Sequence, residues 1–215
     1  MTSLPFASCG FRGLVLGLVL ASTLWVGGCA PLLLGGAMMG TGLVFTDRRT
    51  SGAQLEDQSI ELKAGGQVRN VLGDRGHVNV TSYNRMVLIT GEVPADGDRT
   101  AVEQAVAKVE NVRSTVNELG VMGNSSLTSR SNDTILTSKV KAGMIDAQDL
   151  QANAFKVLTE RGVVYLMGRV TEREATRGAE VARGVSGVGK VVRVFEILTE
   201  AELAQIQPGD AARKP

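Results

Sequence analysis

The chain has 215 residues, of which 43% are hydrophobic and 4% aromatic, a size and composition that suit one or two small globular units. Its formal net charge of +1 excludes the bulk basicity by which many proteins bind nucleic acid. Part of the hydrophobic share lies in the N-terminal segment, which must be set aside before a fold is predicted.

Residues 1–28 are predicted to be an export signal. Arg12 is their only charged side chain, and the apolar run at 13–26 is shorter than the roughly 20 residues that a spanning helix needs. Two glycines then precede Cys29, and this junction resembles a bacterial lipobox, in which the cysteine is diacylated, the signal is removed and the new amine is acylated. The alternative is a plain secretory signal followed by an incidental cysteine.

Cleavage before Cys29 changes the composition of the chain. Since Arg12 is lost, 22 basic and 22 acidic residues remain, and the single remaining cysteine is the acylated one. A disulfide framework and a cysteine metal site are therefore excluded. Each buried lipid CH₂ contributes about 0.8 kcal/mol, so three acyl chains anchor the protein firmly to a membrane.

Replacing Cys29 with serine should abolish palmitate incorporation and leave the protein soluble or held by an uncleaved signal. Ala30 stands where an inner-membrane retention signal would have aspartate, so we expect the wild-type protein in the outer-membrane fraction. Metabolic labelling and membrane fractionation test both points. Tryptophan fluorescence from the mature protein would contradict the cleavage site, because Trp25 is the only tryptophan.

The segment 29–49 is predicted to be an acylated tether. Its residues 30–46 carry no charge and are rich in glycine, which makes them a poor spanning helix. Two interpretations stay open for this segment, a tether lying partly in the lipid interface and a flexible spacer.

The rest of the chain is an internal duplication. Aligning VLITGEV at 87–93 with VYLMGRV at 164–170 superposes two apolar strands, each interrupted by a glycine. Each copy then reads helix, strand, strand, helix, strand. In the second copy these elements are predicted at 134–145, 153–159, 163–170, 172–185 and 190–198.

The glycines of the two strands, Gly91 and Gly168, are predicted to permit close packing. Thr171 to Glu174 forms a capping-box pattern at the start of a helix with a stripe of small residues, which we expect to lie against Gly168. Neither glycine belongs to a phosphate-binding GxGxxG motif. The small residues of this helix are Ala175, Gly178, Ala179 and Ala182, and the equivalent stripe in the first copy is Val102, Ala105, Val106 and Val109.

These residues match a known family. The stretches SNDTILTSKV, VYLMGRVTEREA and RGVSGV of the second copy resemble the BON domain, a small αββαβ module of bacterial envelopes. The resemblance implies an α+β fold of two tandem BON domains, each with two helices packed on a three-stranded mixed sheet. It also implies that Gly91, Gly168 and Gly187 are structural glycines. In the looser first copy Asn111 replaces the glycine of SGV, which puts a shared role of the two copies in doubt.

Two copies behind a lipobox resemble the DolP/YraP family of dual-BON outer-membrane lipoproteins. The resemblance implies an outer-membrane location facing the periplasm, and a function in membrane integrity and envelope remodelling at division sites. The predicted organisation is a signal peptide (1–28), the acylated tether (29–49), BON domain 1 (50–120), a linker (121–132), BON domain 2 (133–198) and a polar tail (199–215).

The resemblance also implies that the second domain binds anionic phospholipid. Residues 50–120 contain 7 basic and 10 acidic side chains, a net charge of −3, whereas 130–198 contain 11 basic and 8 acidic, a net charge of +3. An anionic surface attracts the second domain. In its first helix, predicted to be capped by Asn132 or Asp133, the core stripe is Leu136, Val140, Gly143 and Met144. The predicted phospholipid-binding residues lie off that stripe and are Ile135, Lys139, Lys141 and Ala142.

The alternative function is a protein-interaction adaptor for envelope-assembly or cell-wall-remodelling machinery, which an apolar patch around Tyr83 and Met86 would favour. An enzyme is not predicted, because the single histidine, His77, has no catalytic partners near it in sequence. The acidic pairs Glu56-Asp57 and Asp96–Asp98 are interpreted as a helix start and a turn, so the sequence predicts neither a metal site nor a cofactor.

Overall fold

A computed structural model of the protein describes residues 47–206. The predicted signal peptide, Cys29, residues 30–46 of the predicted tether and residues 207–215 lie outside that range. The first half contains α1 (Ser51–Leu72), β1 (His77–Tyr83), β2 (Met86–Val93), α2 (Asp96–Ala107) and β3 (Ser114–Val121). The second half contains α3 (Leu127–Asp146), a 3₁₀ turn (Ala152–Ala154), β4 (Phe155–Glu160), β5 (Val163–Thr171), α4 (Glu172–Gly184), β6 (Lys190–Leu198) and α5 (Glu200–Ile206).

Each half is an αββαβ unit, which confirms the predicted α+β fold. The first sheet has the order β1-β2-β3 and the second β4-β5-β6, with one antiparallel and one parallel pairing in each. Two helices cover one face of each sheet and bury an aliphatic core. In the first half this core includes Ile60, Ala64 and Val68 of α1, Val87 and Ile89 of β2, and Val102 and Val106 of α2.

Of the element boundaries predicted for the second half, those of β5, α4 and β6 agree with the structure within one residue at each end. The first helix of that half differs, because α3 begins at Leu127 and not at 134. Its cap is Ser126, whose hydroxyl accepts the N–H of Ser129 at 3.1 Å, and not Asn132 or Asp133. Half of the predicted linker is therefore helical.

Two other assignments change in the same way. Helix α1 begins at Ser51, with Thr50 as its cap, so Glu56 and Asp57 lie in its second turn and do not start it. Asp96 and Asp98 lie in the first turn of α2, where carboxylates interact favourably with the helix dipole. The predicted polar tail contains helix α5.

A buried aspartate on the first helix of each half holds the hairpin of that half. The carboxylate of Asp133 accepts the backbone N–H groups of the turn between β4 and β5, each at 2.8 Å. Asp57 does the same for the turn between β1 and β2. Burial alone would raise the pKa of Asp57, but hydrogen bonds from Ser82, from the turn and from Arg49 lower it. The four turn residues all have positive φ, as tight hairpins require, and they are Asn84, Arg85, Arg161 and Gly162.

The glycines of the two strands do permit a close approach, but not by the predicted neighbour. A Cβ on Gly168 would overlap the carbonyl oxygen of Ala154, the residue just before the antiparallel partner strand β4, and a Cβ on Gly91 would overlap the carbonyl oxygen of His77. The prediction that α4 packs on Gly168 is therefore wrong. The small-residue stripe of α4 is buried as predicted. Gly178 makes room for the ring of Phe155, because a Cβ on Gly178 would lie 2.7 Å from the nearest ring carbon of Phe155.

Gly187 has a different reason to be glycine. Its φ is 101°, in the left-handed region that side chains disfavour. Asn111, at the equivalent place in the first half, has a φ of 67°. Asparagine tolerates this region better than most residues, so the substitution preserves the backbone geometry of the loop.

The two sheets pack against each other through the faces that the helices leave uncovered. Leu88 of the first sheet and Met167 of the second lie in this shared core, together with Tyr83, Tyr165 and Val194. Ion pairs and hydrogen bonds join the halves around it, including Lys156 Nζ to Glu61 at 2.9 Å and Asn79 to Glu160 at 2.9 Å. Tyr83 is only 4% exposed, and Met86 packs against the same core. The apolar patch predicted for an adaptor surface is therefore internal.

The last residues of the predicted tether are fixed to both halves. The guanidinium of Arg48 donates to both carboxylate oxygens of Glu174, at 2.7 and 2.8 Å, and to the carbonyl of Arg169 at 2.8 Å. Arg49 pairs with Asp57 at 2.7 Å and lies over the ring of Tyr83. Residues 47–49 are thus part of the folded body, and the tether prediction is wrong for them.

Candidate functional site

Helix α3 presents an apolar strip to solvent. Leu136, Val140 and Met144 are buried in the core as predicted, while Ile135 on the other side is 55% exposed. Leu127 and Ile145, one near each end of the helix, are 80% and 69% exposed. With 3.6 residues per turn these three side chains all point away from the core. We call this strip the outer face of α3, and it comprises Leu127, Ser131, Thr134, Ile135, Ser138, Ala142 and Ile145.

The hydroxyl groups of the outer face are already satisfied. Ser131, Thr134 and Ser138 each donate to the carbonyl oxygen four residues earlier in the same helix, at 3.0 Å. A hydroxyl with an internal partner costs less to remove from water than a free one. The face is therefore less polar than its composition indicates.

The lysines lie on opposite flanks of this face. Lys139 and Ile135 line a cleft of about 340 Å³ together with Gly187, whereas Lys141 lines a smaller cleft of about 230 Å³ together with Ile145. At about 100° per residue, positions two apart on a helix point in nearly opposite directions. Of the four predicted binding residues, the structure thus brings Ile135, Lys139 and Ala142 to one side and places Lys141 on the other.

The charge on α3 is of one sign over most of its length. From 127 to 145 the only acidic residue is Asp133, which is buried and bonded to the hairpin turn. The basic residues Arg130, Lys139 and Lys141 are thus not offset by an exposed carboxylate within that range. Helix α1, its counterpart in the first half, carries Glu56, Asp57 and Glu61.

The sequence interpretation missed the two ends of the outer face. Leu127 falls in the predicted linker (121–132), and Ile145 is the last residue of the predicted helix (134–145). The signal that would have found both is Ser126 as an N-cap, since a helix starting there places Leu127 and Ile145 five turns apart on one line.

Other kinds of site find no support in the part of the chain that the structure describes. Within residues 47–206 no three histidine, cysteine or acidic side chains come together as metal ligands. No helix in this range is both long and apolar enough to cross a membrane. His77 begins β1, and its ring nitrogen lies 3.2 Å from the amide nitrogen of Asn79.

Comparison with known proteins identifies the family. The BON-domain model matches residues 60–123 and 132–199. The outer membrane lipoprotein DolP of Haemophilus influenzae is 37% identical over 186 residues, covering 85% of this chain and 95% of that protein. The 21 kDa hemolysin of Actinobacillus pleuropneumoniae is 30% identical over 151 residues, covering 69% and 78%.

A solved structure is also similar, but only remotely. The C-terminal domain of CdsD, a structural protein of the type III secretion system of Chlamydia trachomatis, is 9% identical, with a TM-score of 0.28 over 62% of this chain and 96% of that one. A similarity this low supports no inference about function. The BON domains and the DolP relative point to a non-enzymatic lipoprotein. The chain therefore belongs to the BON-domain family, as a dual-BON outer-membrane lipoprotein of the DolP/YraP type.

Proposed function

We propose that the second BON domain binds anionic phospholipid through the outer face of α3. The observation that carries the proposal is the exposed aliphatic strip with a lysine on each flank and no exposed carboxylate between residues 127 and 145. BON domains in general associate with membranes or phospholipids, which supports the same conclusion. The protein would face the periplasm from the outer membrane and support membrane integrity and envelope remodelling at division sites.

The geometry suits a helix lying in the plane of the lipid interface. Lysine side chains on the two flanks can keep their ammonium groups among lipid phosphates while their stems cover apolar surface. Each well-placed lysine contributes about 1 kcal/mol near an anionic leaflet. Burying one exposed isoleucine or leucine contributes about 1.5–3 kcal/mol.

The anchor allows this contact. Seventeen residues lie between Cys29 and Asp47, the first residue that the structure describes, and a chain of that length spans at most about 60 Å. A lipidated Cys29 therefore keeps the domain close to the membrane, and a weak interfacial contact is enough for α3 to bind it.

Replacing Ile135 with glutamate should reduce binding to anionic liposomes at least tenfold. The change removes about 1.5–3 kcal/mol of burial and adds a repelled charge that costs about 1 kcal/mol, while about 1.4 kcal/mol corresponds to a factor of ten. Because Ile135 is exposed, the melting temperature should change little. Liposome co-sedimentation of the non-lipidated protein, with a thermal melt of the same sample, measures both quantities.

Three controls make this test specific. Lys139→Ala with Lys141→Ala should weaken binding less than Ile135→Glu does, and binding of the wild type should fall as salt rises. Gln58→Glu, on α1, should leave lipid binding unchanged. If Ile135→Glu stays folded and binds anionic liposomes as well as the wild type, the outer face of α3 is not the lipid-binding surface.

The adaptor function has less support. An exposed apolar patch around Tyr83 and Met86 would favour it, but these side chains lie between the two sheets. An adaptor for envelope-assembly or cell-wall-remodelling proteins would have to use a different surface of the molecule.

A further inference from the structure

Helix α1 of the first domain also has an unpartnered face. Leu55 and Leu62 are 69% and 77% exposed, and they lie seven residues apart on the side opposite the core residues Ile60 and Ala64. Their spacing is part of a longer heptad pattern. The a positions of this heptad are occupied by Gly52, Ser59 and Gly66. The d positions are occupied by Leu55, Leu62 and Arg69. We call these six residues the α1 seam.

Within residues 47–206, the glycines of α1 make no close contact that requires glycine. Gly52, Gly65 and Gly66 all have ordinary helical backbone, and a Cβ added to any of them would meet no atom closer than 3.6 Å. The nearest atoms at Gly65 and Gly66 belong to the flexible side chain of Arg69. Glycine in a helix interior destabilises the helix relative to alanine. Such glycines are favoured where another helix backbone approaches closely, as small residues are in tight helix pairs.

The α1 seam is complementary to itself. When two copies of α1 run antiparallel with Ser59 of one helix opposite Leu62 of the other, each leucine faces a small residue. Leu62 meets Ser59, Leu55 meets Gly66, and the exposed Arg69 side chain extends past Gly52 at the end. This pairing interdigitates large and small side chains along the whole seam.

The charges beside the seam favour the same pairing. Glu56 and Lys63 occupy one flank of the seam, and the antiparallel register brings Glu56 of each helix within about one turn of Lys63 of the other. Each already has a partner on its own chain, in the pairs of Glu56 with Arg85 and of Lys63 with Glu110. Both pairs are partly exposed, so their side chains are free to join a shared network.

We infer that α1 is a dimerisation surface, and that its occupant is α1 of a second copy of this protein in an antiparallel pair. A single helix pair is smaller than the interface that most stable soluble dimers use. Two copies anchored in one membrane meet at a much higher effective concentration than free proteins, so a contact of this size is enough. The surface lies on the first domain and is separate from the outer face of α3.

The inference is tested by cross-linking the full-length lipidated protein in isolated outer membranes. In a Ser59→Cys variant the new thiol is the only free one, since Cys29 is acylated, and it lies beside the two-fold axis of the pair. A short bismaleimide should give a product of twice the protein's mass, at least ten times more than a Gln67→Cys control. Gln67 is exposed on the same helix but points about 110° away from the seam.

A second change separates dimerisation from folding. Gly66→Leu, added to Ser59→Cys, fills the place of the partner's Leu55 and should reduce the dimer product at least tenfold without lowering the melting temperature. The inference is overturned if Ser59→Cys cross-links no better than Gln67→Cys, if Gly66→Leu leaves the product unchanged, or if the product contains a different protein. Liposome binding should be the same with and without Gly66→Leu, so failure here and failure of the lipid proposal are distinguishable.

Discussion

Replacing Arg48 with methionine should lower the free energy of unfolding by about 3–5 kcal/mol, the cost of leaving one member of a buried ion pair alone. The side chains of Arg48 and Glu174 are 1% and 6% exposed. Methionine fills much of the space but leaves the Glu174 carboxylate without its charged partner. Chemical denaturation of the non-lipidated protein measures the loss. A double variant with Glu174→Gln should recover most of it, because no buried charge is left.

The same pair predicts how the Arg48 effect depends on pH. Burial alone would raise the pKa of Glu174, but Arg48 and the backbone N–H of Thr171 lower it below its ordinary value of 4.5. A carboxyl whose folded-state pKa is lowered stabilises the protein above its unfolded pKa, and this contribution is lost as the pH falls through the folded-state pKa. The difference in stability between wild type and Arg48→Met should therefore be full at pH 7 and shrink below pH 4.5. If the difference in stability between wild type and Arg48→Met were the same at pH 7 and below pH 4.5, Arg48 would act through packing alone.

Replacing Gly168 with valine should unfold the second domain or destabilise it by about 3 kcal/mol or more, at the upper end of the cost of overpacking. The first atom of any side chain at this position overlaps the carbonyl oxygen of Ala154, the residue directly before β4, and a backbone atom next to a paired strand cannot move aside as a flexible side chain can. Limited proteolysis and thermal melts detect the loss.

Gly97→Ala is the matched control for Gly168→Ala. Both changes add one methyl group, but a Cβ on Gly97 would meet nothing within 4 Å. Gly97→Ala should leave the melting temperature unchanged or raise it, while Gly168→Ala lowers it. Equal melting temperatures for the two alanine variants would mean that the strand pair relaxes and that close packing does not explain Gly168.

The parts of the fold that local chemistry determines could be predicted from the sequence. The capping box of Thr171 and Glu174 fixes the start of α4, and both halves of that box are formed. The start of α3 was missed because Ser126 lies in a stretch of serine, threonine and asparagine with no apolar period to mark a helix. The outer face of α3 was therefore predicted only around Ile135.

Contacts between residues far apart in the chain could not be predicted from the sequence. Arg48 and Glu174 are 126 residues apart, and no local pattern links them. The packing of one sheet on the other was not predicted either, although the sequence contains an indication of it. Leu88, Tyr165 and Met167 put apolar side chains on the strand faces that the helices do not cover. A central strand that is apolar on both faces indicates a second layer, but it does not say which layer.

The contact between Arg48 and Glu174 also determines where mechanical load enters the protein. A pull that reaches Asp47 from the preceding chain passes through Arg48 to the start of α4 and to the backbone of β5. Arg49 carries part of it to Asp57 and so to α1. The force is thus divided between both domains at their junction. A stretched anchor therefore loads the two halves together, and does not peel the first helix away from its sheet.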